Sequence, residues 1–226
     1  MKNTVFVCLL ALASLLATSA KAQSCGNDSI YKLPYKNTYV KSTLAADNEF
    51  RTMRPTYMEI PTFETAKKIL PVPIWAGHEK EIEMYWKAWE IGVGNIRNPQ
   101  PGSGFVSPYI DTAYNGNIFM WDSAFILMFA RYGERFFPFQ KTLDNFYAKQ
   151  HPDGFICREI MANGADCFER YDPTSTGPNL LPWCEMIYYH QFGDTERLHK
   201  IFPALCGYYE WLRLNRTWRN GTYWTS

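Results

Sequence analysis

The sequence predicts an all-α chain whose helices stand in a double-layered toroid, and three observations predict it. From Gly77 to Val93, the residues Ile82, Trp86, Trp89 and Val93 recur at helical spacing while Glu79, Lys80, Glu83, Lys87 and Glu90 fall elsewhere, the pattern of a helix with one apolar face. Two later segments, Ser123 to Tyr132 and Leu180 to Phe192, are apolar almost throughout, which predicts helices surrounded by other elements. The linkers alternate as well: they are short after Gly133 and Gly193 and long before Asp122 and Leu180, as in helical hairpins set in a ring with apolar helices inside and long loops on one rim. An irregular helical bundle has the same periodicities and stands as the alternative.

In chain order, residues 1–22 read as a secretory signal peptide. Lys2 supplies the positive start, Thr4 to Thr18 the apolar stretch and Ala20-Lys21-Ala22 the cleavage site, so the mature chain is expected to begin near Gln23. Ala22-Gln23-Ser24 is a poor lead-in to an acylated Cys25, so periplasmic or secreted export without a lipid anchor is expected. Residues 23–75 carry Pro34, Pro55, Pro61, Pro71 and Pro73 and no sustained period, which predicts an irregular lead-in. The helical domain spans 76–226. Its first helix ends at the Gly92, Gly94 and Pro99 region, and a Gly-, Pro- and Asn-rich loop follows up to Asp122. Gly133 stops the apolar helix that Asp122 opens; Phe136 to Lys149 is then an amphipathic helix, and Pro182 fits the first turn of the next. Asp194 heads a helix expected to break at Pro203 and resume to Asn215.

With 46% hydrophobic residues the 226-residue chain has ample material for a core. A formal net charge of +1 leaves no electrostatic footprint for nucleic acid or an anionic membrane, and no membrane span is expected after the signal. Eight Trp, 15 Tyr and 15 Phe exceed what an ordinary core needs; they suit either aromatic-rich helix packing or an aromatic-lined cleft that stacks on sugar rings. Five cysteines beyond the signal at irregular spacing do not describe a disulfide framework; isolated buried thiols are the favoured reading, and a Cys157–Cys167 pair across a short loop is the alternative. His78, His151, His190 and His199 lack ligand spacing, and there is no phosphate loop, nucleophile elbow or complete dinucleotide motif, so no cofactor and no metal are implied.

Three places stand out chemically. Asp122 is an N-cap of the apolar helix, or a carboxylate that with Trp121 hydrogen-bonds and stacks on a sugar, and both roles are compatible. Arg158 and Glu159, adjacent opposite charges in the loop after the Asp153-Gly154 turn, are either a surface ion pair or a donor and acceptor for neighbouring hydroxyls. Glu185 is a lone carboxylate on an apolar helix, lining a central cavity or satisfied by a partner the sequence does not reveal.

MWDSAF at 120–125, PDGFICREI at 152–160, GPNLLPWCE at 177–185 followed by FGD, and TERLHKIFPALCGYYEWL at 195–212 occur in an order and spacing that resemble a known family. From about Trp75 to Ser226 the chain is similar to the N-terminal half of the catalytic domain of glycoside hydrolase family 63 and its mannosylglycerate hydrolase-like and trehalase-like relatives. The resemblance implies an (α/α)6 toroid and inverting hydrolysis of α-linked glucosides or mannosides. It implies that Trp121 and Asp122 lie in the subsite for the non-reducing sugar and that Arg158 and Glu159 belong to the substrate-binding loop. The family's general acid, an aspartate just after a stretch like NGTYWTS, and its later glutamate base fall beyond Ser226. The expected partner is thus an oligosaccharide or small glycoside, and the expected chain is an incomplete half ring: about five or six helices where a closed double ring has about twelve. The alternatives are a non-catalytic glycan-binding toroid and an unsaturated-uronide hydrolase, for which Arg158 would meet the substrate carboxylate.

Overall fold

The computed structural model describes residues 37–111 and 115–224. The signal peptide, Cys25 and the start of the lead-in lie outside these residues. The chain is mostly helical, with α1 Thr43–Ala46, α2 Phe63–Lys67, α3 Glu79–Gly94, α4 Met120–Ala130, α5 Thr142–Ala148, α6 Leu181–Phe192 and α7 Thr195–Asn215. Two antiparallel strand pairs interrupt the helices: β1 Ile96–Arg97 with β2 Tyr109–Ile110, and β3 Ile118–Phe119 with β4 Glu159–Ile160. No helix among the described residues is long and apolar enough to cross a membrane.

The lead-in is more ordered than its prolines suggest. Ser42, Asn48 and Thr62 each cap a short helix or 3-10 turn by accepting a backbone amide. α1 then packs on α7, where Gly207 admits the backbone at Ala45: a Cβ there would stand 3.2 Å from the Ala45 nitrogen. The Thr38 amide donates to Asn215 Oδ1 at 2.9 Å, and Asn215 returns a bond to the Thr38 carbonyl, so the lead-in is stitched to α7.

α3 forms where the periodicity places it, with Trp89 and Val93 buried. Trp89 lies beneath the rings of Phe129, Phe136 and Phe139, with centroids 5.2, 6.0 and 6.1 Å away. Gly133 passes so close that a Cβ would stand 2.6 Å from Phe136 and 2.9 Å from Trp89, which is why the chain turns there at glycine.

Helix layering departs from the expected alternation. α5, expected to be amphipathic and outer, is buried on all sides. Its polar groups are consumed by the loop before β2: Asn145 accepts the Val106 and Ser107 amides and donates to the Ser107 carbonyl, while Thr142 accepts the Ile110 amide. Polar residues so matched bury without penalty, and a hydrophobicity pattern reads them as solvent-facing. Conversely α4, expected to be surrounded, buries only Met120, Ser123, Ala124, Leu127 and Ala130, one face at helical spacing, and leaves Trp121, Phe125 and Phe129 exposed. α6 likewise buries Leu181, Cys184 and Glu185 and exposes Trp183.

α7 runs unbroken through Pro203, against the expected break. The carbonyl that loses its partner belongs to exposed His199, where water can take the bond, and Ile201, Ala204, Tyr208 and Trp211 hold both halves in the core. Asp194 caps α7 as expected, accepting the Arg197 amide at 2.9 Å, and Gly193 ends α6 at φ 69°.

Candidate functional site

The β3–β4 pairing brings the two sequence-predicted pairs to one rim. Phe119 stands opposite Glu159, and the Met120 amide donates to the Arg158 carbonyl at 2.8 Å, so the start of α4 is fixed to the CRE segment across some forty residues of sequence. Trp121 and Asp122 follow directly in the first turn of α4. Trp121, Asp122, Arg158 and Glu159 therefore share a neighbourhood built on four strand residues.

The N-cap of α4 is Phe119, not Asp122, and no side chain caps the helix. Strand pairing leads into the helix instead: the Met120 amide, the first of the helix, bonds to the Arg158 carbonyl just before β4. Asp122 is an exposed carboxylate in the first turn, where the free amides of the helix start favour negative charge. Arg158 and Glu159 form no ion pair with each other. Strand alternation sends them to opposite sides. Arg158 donates through Nε to the Thr174 carbonyl and lays its guanidinium 4.5 Å over Phe168. Glu159 accepts from Asn117 Nδ2 at 2.9 Å, and the Cys167 thiol faces it from the returning loop. Burial and that carboxylate both push the Cys167 thiol up.

Asn117 was not singled out by the sequence, yet it orients Glu159 and also accepts the Ala162 amide at 3.1 Å. A run of exposed rings extends the rim: Trp121 lies 5.4 Å from Phe125, and Phe125 lies 6.0 Å from Trp183 on α6. Trp121 and Trp183 are 50% and 41% exposed, unusual for tryptophan in a chain with this much core. The sequence places Trp183 beside Pro182 in the first turn of α6, with no sign that it reaches this rim. Such rings can lie against the C–H faces of a sugar while Asp122 and Glu159 accept hydroxyl protons.

Glu185 does not line a cavity. Arg197 grips both its oxygens at 2.7 Å, Tyr147 donates to Oε1 at 2.8 Å and Gln140 to Oε2 at 2.9 Å, while the same guanidinium reaches Asp144 at 2.9 Å. The carboxyl whose protonation is most plainly altered is Glu134, which burial pushes up to about 7 against the opposing pull of the Gln140 amide and Arg197. It follows the far end of α4, whose axis rises about 12 Å from Asp122 to Ala130 at 1.5 Å per residue, so it stands at the opposite end of the helix from Asp122.

Two clefts, of about 440 and 350 Å³, share His151 and Asp166 and are lined by neither Trp121 nor Asp122. Trp121 and Asp122 are both exposed and stand on an open aromatic rim. Cys157, Cys167, Cys184 and Cys206 are free, so the Cys157–Cys167 pairing considered from the sequence is not formed. Comparison of the chain with protein-family models, curated proteins and solved structures found no match.

Proposed function

We propose that the chain is the sugar-holding portion of an exported glycoside hydrolase that cleaves α-linked glucosides or mannosides with inversion, its helices forming part of an (α/α)6 ring. Trp121 covers a face of the non-reducing sugar, Asp122 and Glu159 accept its hydroxyl protons, and Arg158 braces the loop through Thr174 and Phe168. The observation that carries the reading is the Phe119–Glu159 strand pair, which joins the MWD and CRE segments at a rim of exposed indole rings. The uncovered aromatic faces of α4 and α6 further support it, since they suit helices that continue a ring.

Inverting hydrolysis uses two carboxyl groups roughly 6.5 to 9.5 Å apart, one protonating the leaving oxygen and one activating water. In this reading both come from outside the described residues. Asp144, Asp153 and Glu185 are engaged by arginine, tyrosine or tryptophan donors, and Asp122 binds substrate.

The test is a tryptophan-fluorescence titration of the 226-residue chain with trehalose, kojibiose, nigerose, and glucosyl- and mannosylglycerate. One of these is expected to give a saturable change that Trp121→Ala removes, with no sugar released. Asp122→Asn in the complete enzyme is expected to keep the fold and lower kcat/KM by about a hundredfold, the loss of a hydroxyl acceptor in the transition state. Unaltered kinetics would remove Asp122 from the subsite; release of glucose or mannose by the 226-residue chain would overturn the placing of the acid and base.

A further inference from the structure

The exposed rings at the rim form a row that crosses from one helix to another. Phe125 stands one turn after Trp121 on α4, 47% exposed, with its centroid 5.4 Å from that of Trp121. Trp183, in the first turn of α6, lies 6.0 Å beyond Phe125. From ring to ring the planes tilt by 47° and 59°. These three rings belong to the opening turns of their helices. Phe129, Tyr132 and Phe192, also exposed, lie toward or past the helix ends, where the neighbouring helices of a ring would meet them.

Arg158 holds the two ends of the row together from behind. Its carbonyl accepts the Met120 amide at the start of α4, while its amide donates to the Ser175 carbonyl at 2.9 Å and its Nε to the Thr174 carbonyl, on the segment that runs into α6. The indole N–H groups of Trp121 and Trp183 donate to nothing among the described residues, so each ring offers a face and a donor.

We propose that Trp121, Phe125 and Trp183 form a track for three consecutive sugars of an α-linked oligosaccharide, so that the site takes chains and not disaccharides alone. The inference rests on the sugar-holding role proposed for Trp121 and Asp122 and adds the length and shape of the ligand. A pyranose lays one C–H face on an aromatic ring, and steps of 5.4 and 6.0 Å match the advance of a chain by one sugar per ring. The tilt between successive rings suits the coiling of an α-linked chain; a flat, ribbon-like β-linked glucan calls for coplanar rings. An apolar protein face laid over the same rings would bury the exposed Asp122 carboxylate without a donor, whereas a sugar brings hydroxyls to it.

Calorimetric titration of the 226-residue chain tests the track, with the disaccharide and trisaccharide of each α-linked series: kojibiose and kojitriose, nigerose and nigerotriose, maltose and maltotriose, and the corresponding mannosides. In the series that binds, affinity is expected to rise about tenfold from two sugars to three, the contribution of one further stacked ring. Trp183→Ala should remove that gain. Equal affinity for two sugars and three, or a gain that survives Trp183→Ala, would overturn the track and leave the sugar-holding role of Trp121 standing; binding of no sugar in any series would overturn both. Sedimentation equilibrium showing a dimer that Trp183→Ala dissolves would assign the row to a second copy of the chain and equally overturn the track. The comparison of two sugars with three on the unaltered chain decides the matter even if the variant does not fold.

Discussion

Replacing Arg197 with methionine keeps the aliphatic stem and removes the guanidinium that three helices share. Arg197 comes from α7, Glu185 from α6 and Asp144 from α5, and the side chains of these two carboxylates are only 1% and 5% exposed. Burial raises Asp144, with Arg197 as the main opposing pull. Without Arg197 both acids are left in the core. Breaking a buried pair by removing one partner costs about 3–5 kcal/mol, and because Tyr147 and Gln140 still donate to Glu185 the lower part of that range applies, about 3 kcal/mol. For a chain of this length that is a fall of about 10 °C in Tm. Urea unfolding followed by far-ultraviolet circular dichroism measures it. Adding Glu185→Gln should recover about 1–2 kcal/mol relative to the sum of the single changes, because the pair is coupled. The penalty should also shrink from pH 8 to pH 5: a carboxyl raised in the folded state favours folding at low pH and loses that contribution as pH rises through its folded value. A loss under about 1 kcal/mol, or one larger at pH 5 than at pH 8, would refute the account of Arg197 as the shared counter-charge.

Glu134 offers a pH test of opposite outcome. Raised from an ordinary 4.5 to about 7, it supports the fold fully below pH 4.5 and loses that contribution as pH rises through 7. Glu134→Gln keeps an oxygen for the Gln140 amide and should stabilise by roughly 2–3 kcal/mol at pH 8 and almost nothing at pH 4, read from denaturant midpoints; an equal effect at both would contradict the burial argument. Gly164, at φ +84°, turns the chain where a Cβ would lie 1.7 Å from the Ser103 carbonyl oxygen. Gly164→Ala should cost about 3 kcal/mol or more, through strain and displacement of the loop from Ser103, and a Tm unchanged within a degree or two would refute the close approach.

The long helices were legible because their apolar spacing and stop signals are local: α3, α6 and the cap at Asp194 lie within a residue or two of where the sequence puts them. What escaped was settled by distant partners. Two-residue strands such as Ile96–Arg97 and Glu159–Ile160 are too short to carry a period, and they exist because a loop returns to them. Asn145 and Thr142 read as surface residues until the Val106–Ile110 backbone is placed beside them. Glu185 could not be interpreted without Arg197, twelve positions on and on another helix. At the candidate site, Trp121, Asp122, Arg158 and Glu159 were visible as types and positions; Asn117 and Trp183 were not, because only the folded chain brings them to that rim.

The stitching of Thr38 to Asn215 and of α1 to α7 bears on how the protein is made. Ala45 leaves the ribosome some 160 residues ahead of the Gly207 backbone it must meet, an interval of roughly 10–30 s at ordinary rates of synthesis. Throughout that wait α1 lacks the α7 face on which it packs. A nascent chain in this condition is a ready client for holding chaperones and for any machinery that threads unfolded polypeptide, and this contact locks only when α7 arrives.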